Sequence, residues 1–201
     1  MRLVLASNNA KKLVELRTLF APLGIELLAQ GALGIGEAEE PHGTFVENAL
    51  AKARHAAAAS GNAAIADDSG LCVDALGGAP GVLSARYATL FGGPRDDAEN
   101  NRALLRQLEG QSERRARFVS VLVALRSADD PEPLIAMGRW DGEVTAELRG
   151  EGGFGYDPLM YIPGFGRTVA QLGAEEKNRH SHRAQAARQM LALMREVWQL
   201  G

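Results

Sequence analysis

Ala64-Ile65-Ala66-Asp67-Asp68-Ser69-Gly70 is the stretch on which the reading of this chain turns. A short apolar run of this kind makes a buried strand, and here it stops at two carboxylates, a hydroxyl and a glycine. Adjacent aspartates at a strand end cannot both be buried unless cationic groups meet them. In open α/β sheets, ligands gather beyond the carboxyl ends of strands. A divalent metal carrying a phosphorylated substrate would bring the missing positive charge, since hard cations take carboxylate oxygens. The alternative is a solvated turn in which Asp67 and Asp68 cap the next element.

Upstream, Leu3-Val4-Leu5-Ala6 predicts a first strand, broken by Ser7-Asn8-Asn9. From Lys11 to Phe20, Leu13, Leu16, Leu19 and Phe20 fall at helical spacing, with Pro22 and Gly24 as the stop. A strand, polar turn and helix aim backbone N–H groups and a helix N-terminus at an anion. Ser7-x-Asn9-x-x-Lys12 is thus a candidate phosphate grip, the alternative being an asparagine cap with solvated lysines. Ile25–Leu28 predicts a second strand, followed by a loop from Gly31 to Gly43 that holds Glu37, Glu39 and Glu40. Thr44-Phe45-Val46-Glu47 has the capping-box spacing and starts a helix that runs to about Ala59, with Asn48 and Lys52 one turn apart.

Downstream, Leu71-Cys72-Val73 continues apolar, with Cys72 read as a small core residue. Gly77-Gly78-Ala79-Pro80-Gly81 is a tight loop beside Ser84-Ala85-Arg86-Tyr87. A helix is expected from Asp96 to Leu108 and a long β-rich run from Arg114 to Arg126. After a turn at Asp129–Pro133, Leu134–Met137 and a strand pair within Gly138–Leu148 complete an antiparallel middle, with Trp140 on one face. That pattern predicts an α/β fold with a mixed central sheet flanked by helices, in one domain spanning 1–201.

Two later stretches carry chemistry. Glycines bracket Phe154 and Tyr156 in Gly150–Asp157, which lets backbone approach a flat ligand, or else forms a glycine-rich hairpin with core aromatics. It is neither a Walker A loop nor a dinucleotide fingerprint. Ser181 caps a final helix whose buried stripe is Ala184, Ala187, Leu191, Met194 and Trp198. His182 and Arg183 then sit in its first turn, where an anion or an electronegative base edge is favoured. His180-x-His182 offers no third zinc ligand nearby.

Composition narrows the classes. The net charge of -3 argues against general nucleic-acid or membrane adhesion, which needs a basic surface. The single Cys72 excludes an internal disulfide framework and fits a reducing compartment. No apolar run has the length of a signal peptide or a membrane span, so a soluble cytoplasmic protein is expected.

Taken together and in order, these motifs resemble the inosine/xanthosine triphosphate pyrophosphatase family. They are Ser7-x-Asn9-x-x-Lys12, Thr44-Phe45-x-Glu47-Asn48-Ala49-x-x-Lys52-Ala53, Ala66–Gly70, Gly77–Gly81 with Ser84–Tyr87, Gly152–Pro158, and Lys177 with Ser181-His182-Arg183. The departure lies in the first loop, where Ser7-Asn8 and Lys11 stand in place of Thr-Gly and Gly.

The resemblance implies two lobes around a nucleotide-binding cleft, and cleavage of ITP, dITP or XTP between the α and β phosphates. It implies Mg²⁺ held by Glu39 and Asp68, with Asp68 the base that activates water. Ser7, Asn8, Asn9, Ala10, Lys11, Lys12 and Ser69 would meet the triphosphate, aided by Lys52 and Lys177. Phe154, Gly155, Tyr156 and Asp157 would line the base pocket, while His182 and Arg183 read the purine 6-keto edge. Homodimers are common in the family, and the apolar stretch around Trp140 is a candidate interface. The competing readings are a pyrophosphatase for other nucleotides and a non-catalytic nucleotide-binding module.

Overall fold

A computed structural model describes residues 1–200. Seven strands form one open, mixed sheet in the order β2-β1-β3-β4-β5-β6-β7. They are β1 Arg2–Leu5, β2 Glu26–Ala29, β3 Ala64–Val73, β4 Arg115–Leu125, β5 Leu134–Val144, β6 Met160–Ile162 and β7 Arg167–Thr168. The helices are α1 Ala10–Phe20, α2 Phe45–Ser60, α3 Asp97–Gln107, α4 Ala174–His180 and α5 His182–Val197. β1 pairs in parallel with both β2 and β3, whereas β6 is antiparallel to β5 and to β7. Among the described residues, no helix is long and apolar enough to cross a membrane.

The chain divides into two compact units, one of Met1–Asp68, Ser120–Gly138 and the chain from His182 onward, the other of Ser69–Val119 and Arg139–Ser181. In the first unit the strand period of two decides the layers. Leu3, Leu5 and Ile65 share a core with Leu16 and Phe20 of α1 and with Met190, Leu191 and Met194 of α5. Val4, in register with Ala64, points to the opposite face. There α2 lies against β1, and its buried Ala49, Ala53, Ala56 and Ala57 keep the helix close to the sheet. In the second unit Leu71, Val73, Leu104, Phe118, Trp140, Tyr156 and Leu159 belong to one core.

The predicted elements are present, with three corrections. β3 does not end at the aspartates but runs through them to Val73, because each carboxylate finds an intramolecular cation on its own face of the sheet. β5 is one strand of 11 residues and not two pieces. Gly138 does not break it. A Cβ there would lie 1.9 Å from the His182 carbonyl oxygen, so glycine admits the start of α5. Cys72 is half-buried on β3 rather than in the core, and burial pushes its thiol pKa up. Trp140 is buried and packs edge-on to Phe165 at 6.3 Å, while its strand neighbours Ile135 and Met137 are exposed.

The turn from β4 to β5 is tied by Asp130, which is 4% exposed. It accepts from the Arg126 backbone N–H and guanidinium and from the Glu132 N–H. The Arg126 guanidinium holds its pKa down to about 2. Asp130→Asn is expected to cost about 1 kcal/mol at neutral pH. The folded value is depressed, so this contribution is complete above the ordinary aspartate value of about 4 and is lost as pH falls through about 2. Urea denaturation of both proteins at pH 7 and near pH 3 should show the gap narrowing.

Candidate active site

The two aspartates of β3 face opposite ways, as neighbours on a strand must. Asp67 follows the parity of Ile65 toward α1 and α5. Its Oδ2 accepts from Lys12 Nζ at 2.9 Å and from the Arg183 guanidinium at 3.1 Å, and its Oδ1 accepts from the Ser120 hydroxyl at 2.6 Å. The other arm of Arg183 holds Glu15 of α1. Burial alone would raise the Asp67 pKa, but Arg183 and Lys12 hold it well below the carboxylate range. Burial lowers the Lys12 pKa, opposed by Asp67.

Asp68 follows Ala64 and Ala66 toward α2. Its Oδ1 accepts from Lys52 Nζ at 2.8 Å, and the same ammonium donates to Glu40 at 2.9 Å and to the Asp67 carbonyl at 3.1 Å. Desolvation raises the Asp68 pKa in spite of Lys52. Burial works against the Lys52 charge, but Asp68 and Glu40 outweigh it and raise the Lys52 pKa. The buried Oδ2 of Asp68 has no hydrogen-bond partner. An unpaired buried acceptor costs about 1–3 kcal/mol, so this atom is open to a cation.

A magnesium ion fits that donor set. No group of three or more His, Cys, Asp or Glu is placed to hold a metal among the described residues. Mg²⁺ does not need one, because it binds through one or two carboxylates and completes its shell with water and phosphate oxygens. Of the loop carboxylates, Glu39 is exposed, whereas Glu40 is half-buried on Lys52. The loop is anchored by Asn48 of α2, which accepts from the His42 N–H and donates to the His42 carbonyl.

In the first loop, Asn9 caps α1 by accepting from the Lys11 and Lys12 N–H groups. The Asn9 N–H donates to Ser7 Oγ. Asn8 lies over Gly31, where a Cβ would come within 2.7 Å of its Oδ1. Asn8, Asn9, Ala10 and Lys11 are exposed and Ser7 is half-buried, but Lys12 is neither solvated nor free, being committed to Asp67.

Arg183 is 2% exposed and His182 6%, so neither projects into solvent. Both lie in the first turn of α5, as the sequence predicts. The pairing of Arg183 with Glu15 and Asp67 was not readable from spacing, because the three residues lie on α5, α1 and β3.

The second unit builds its own constellation. Lys177 of α4 donates to Asp157 Oδ2 at 2.7 Å and lies over the Phe154 ring, 4.4 Å from its centroid. The Phe154 N–H donates to the same carboxylate oxygen. Gly155 is held by Asp97 at its N–H and by Asn101 at its carbonyl. Gly153 has φ +73°, and a Cβ there would meet Asp157 Oδ2 at 2.0 Å, so this turn requires glycine. Phe154 and Gly155 are half-exposed and leave a ring accessible, while their backbone N–H and carbonyl groups are already paired. Tyr156 cannot: it is buried, its hydroxyl donates to the Ser84 carbonyl, and desolvation pushes its pKa up. Ser69 is half-buried at the first position of this unit.

Sequence reasoning missed Glu15, Ser120, Asp97 and Asn101, for which no motif offers a signal. Asn48 lies one turn from Lys52, but its anchoring of the His42 backbone appears only in the structure. Gly70 is set by packing, since a Cβ would fall 2.4 Å from both the Gly81 carbonyl oxygen and Ser84 Oγ.

Known proteins match over nearly the whole chain. A relative from Leptothrix cholodnii named dITP/XTP pyrophosphatase is 70% identical, covering 100% of this chain and 100% of its own. Another of that name from Methylibium petroleiphilum is 70% identical over 98% of this chain and 99% of its own. The structure of a HAM1 protein from Coxiella burnetii superposes with a TM-score of 0.90 at 45% identity, covering 98% of this chain and 100% of that one. The Staphylococcus aureus Ham1 protein gives 0.85 at 37% identity, covering 98% and 99%. The Ham1 family model matches residues 3–193. With β3, its two aspartates and their lysines inside that span, the chain belongs to the Ham1 family.

Proposed function

We propose that this protein hydrolyses deaminated purine nucleoside triphosphates, ITP, dITP and XTP, to the monophosphate and pyrophosphate, and so clears them from the nucleotide pool. The names of relatives at 70% identity support the substrate class. The observation that carries the chemistry is Asp68, with one oxygen held by Lys52 and the other buried and unpartnered.

In this reading Asp68 takes a proton from the attacking water. Lys12, Lys52 and Ser69, with Ser7 to Lys11, meet the phosphates and neutralise charge as the bond between the α and β phosphates breaks. Asp68 and Glu39 hold Mg²⁺, with Glu40 keeping Lys52 beside them. When bound, the ion supplies Lewis-acid neutralisation of the phosphate oxygens. Phe154, Gly155 and Asp157, with Lys177, contact the base, while Tyr156 anchors the loop to the core through its hydroxyl on the Ser84 carbonyl. His182 and Arg183 donate to the 6-keto edge, Arg183 as a donor held in place by Glu15 and Asp67. Adenine would set its amino group against those donors, and a site of that kind rejects a mismatched analogue by up to ~10⁴-fold. The composition extends the proposal to the cytoplasm, and the resemblance extends it to a homodimer.

The test is pyrophosphate release across ITP, dITP, XTP, GTP and ATP. Turnover is expected for the first three, falling to background when EDTA removes Mg²⁺ and returning when the ion is restored. Binding of ITP without turnover in the presence of Mg²⁺ would instead make the protein a nucleotide-binding module.

A further inference from the structure

Asp67 touches no substrate in the reading above, where it only helps to hold Arg183, yet its side chain is fully buried one residue from the base. A buried carboxylate of this kind is commonly a counter-charge and nothing more. Its partners point elsewhere. One oxygen accepts from Lys12, proposed for the phosphates, and from Arg183, proposed for the purine edge. The other is oriented by the Ser120 hydroxyl of β4. Two cations from different helices, assigned to opposite ends of one substrate, thus share a single oxygen atom.

We infer that Asp67 is a positioning residue that sets Lys12 and Arg183 together and so couples phosphate binding to choice of base. The inference rests on the proposed roles of those two side chains. Lys12 and Arg183 repel each other, and the Asp67 carboxylate between them offsets that repulsion. A phosphate that draws on Lys12 leaves Asp67 to bind Arg183 more firmly in the posture that faces the base. Such coupling is reciprocal, so correct seating of the base also favours correct placement of the lysine. Asparagine keeps the shape of Asp67 but carries no charge: its carbonyl can accept from both cations without balancing them, and its NH₂ turns to the Ser120 hydroxyl.

The experiment compares wild type, D67N and S120A in pyrophosphate release from ITP and from ATP with Mg²⁺ present, with thermal unfolding to verify the fold. For D67N, kcat/KM for ITP should fall roughly 10-fold or more, mainly through KM, and the ITP:ATP ratio should fall by a similar factor. S120A keeps every charge and loosens only the carboxylate. It should move KM and the ratio the same way by about 3-fold. A folded D67N with unchanged KM and ratio, or with a loss confined to kcat, overturns the inference. Should D67N not fold, S120A decides: a shifted ratio supports coupling, and an unmoved one overturns it. A wild type inert toward ITP removes the functional reading and this inference with it, whereas an active wild type with both variants unmoved removes the inference alone.

Discussion

Asp68→Asn is expected to leave the fold intact and to cut pyrophosphate release from ITP by about 10³-fold, within the range that a positioned general base contributes. The substitution is nearly isosteric and Lys52 keeps Glu40 and the Asp67 carbonyl as acceptors, so the network around it can survive. What disappears is the carboxylate whose pKa desolvation raises and whose second oxygen is buried without a partner. The amide cannot take a proton from water, and it is a poor ligand for a hard cation. Titration with Mg²⁺ by calorimetry, in the presence of a non-hydrolysable ITP analogue, should show weakened ion binding alongside the lost rate. Wild-type turnover in this variant would remove Asp68 from the mechanism, whatever the fold resembles.

Arg183→Met is expected to have the largest effect on stability, a loss of about 3–5 kcal/mol. The side chain is 2% exposed and holds two carboxylates, Asp67 and Glu15, from β3 and α1. Removing it strands negative charge in a dry interior with Lys12 as the remaining cation on Asp67. For a chain of this size each kcal/mol moves the melting temperature by about 2–4 °C, so a fall of roughly 6–20 °C should be read in a thermal scan. The pH dependence follows from the sign of the Asp67 shift. Its folded pKa is depressed well below the ordinary value, so its stabilisation is present above that value and is lost as pH falls through the folded one. Without Arg183 the folded pKa rises, and acid unfolding should begin at higher pH than in wild type. In the enzyme assay the same variant should erode the preference for ITP over ATP; unchanged selectivity would mean that the base edge is read elsewhere.

All the helices but α4 were legible because their signals are local. Asn9, Thr44 and Asp96 each satisfy N–H groups two or three residues on, and such caps need nothing beyond the first turn. The mixed sheet was legible from composition and alternation, as in β5, whose residues are buried and exposed in turn from Leu134 to Asp141. Strand ends were less so. The aspartates looked like the close of β3 because carboxylates are seldom buried, and the groups that permit their burial come from α1, α2 and α5. Likewise Gly138 reads as a break until α5 is seen to approach it.

By itself the sequence determined most of the elements, their order and the residue types available for phosphate and metal chemistry, since caps, periodicity and charge are properties of neighbours in the chain. Only the tertiary structure decided which face each aspartate takes. The two-residue period of an uninterrupted strand sends Asp67 to a lysine and an arginine and Asp68 to a single lysine. It also decided that Arg183 is an interior ion-pair partner and Tyr156 a core residue. Burial and pairing across more than a hundred residues arise from packing, which no local pattern encodes.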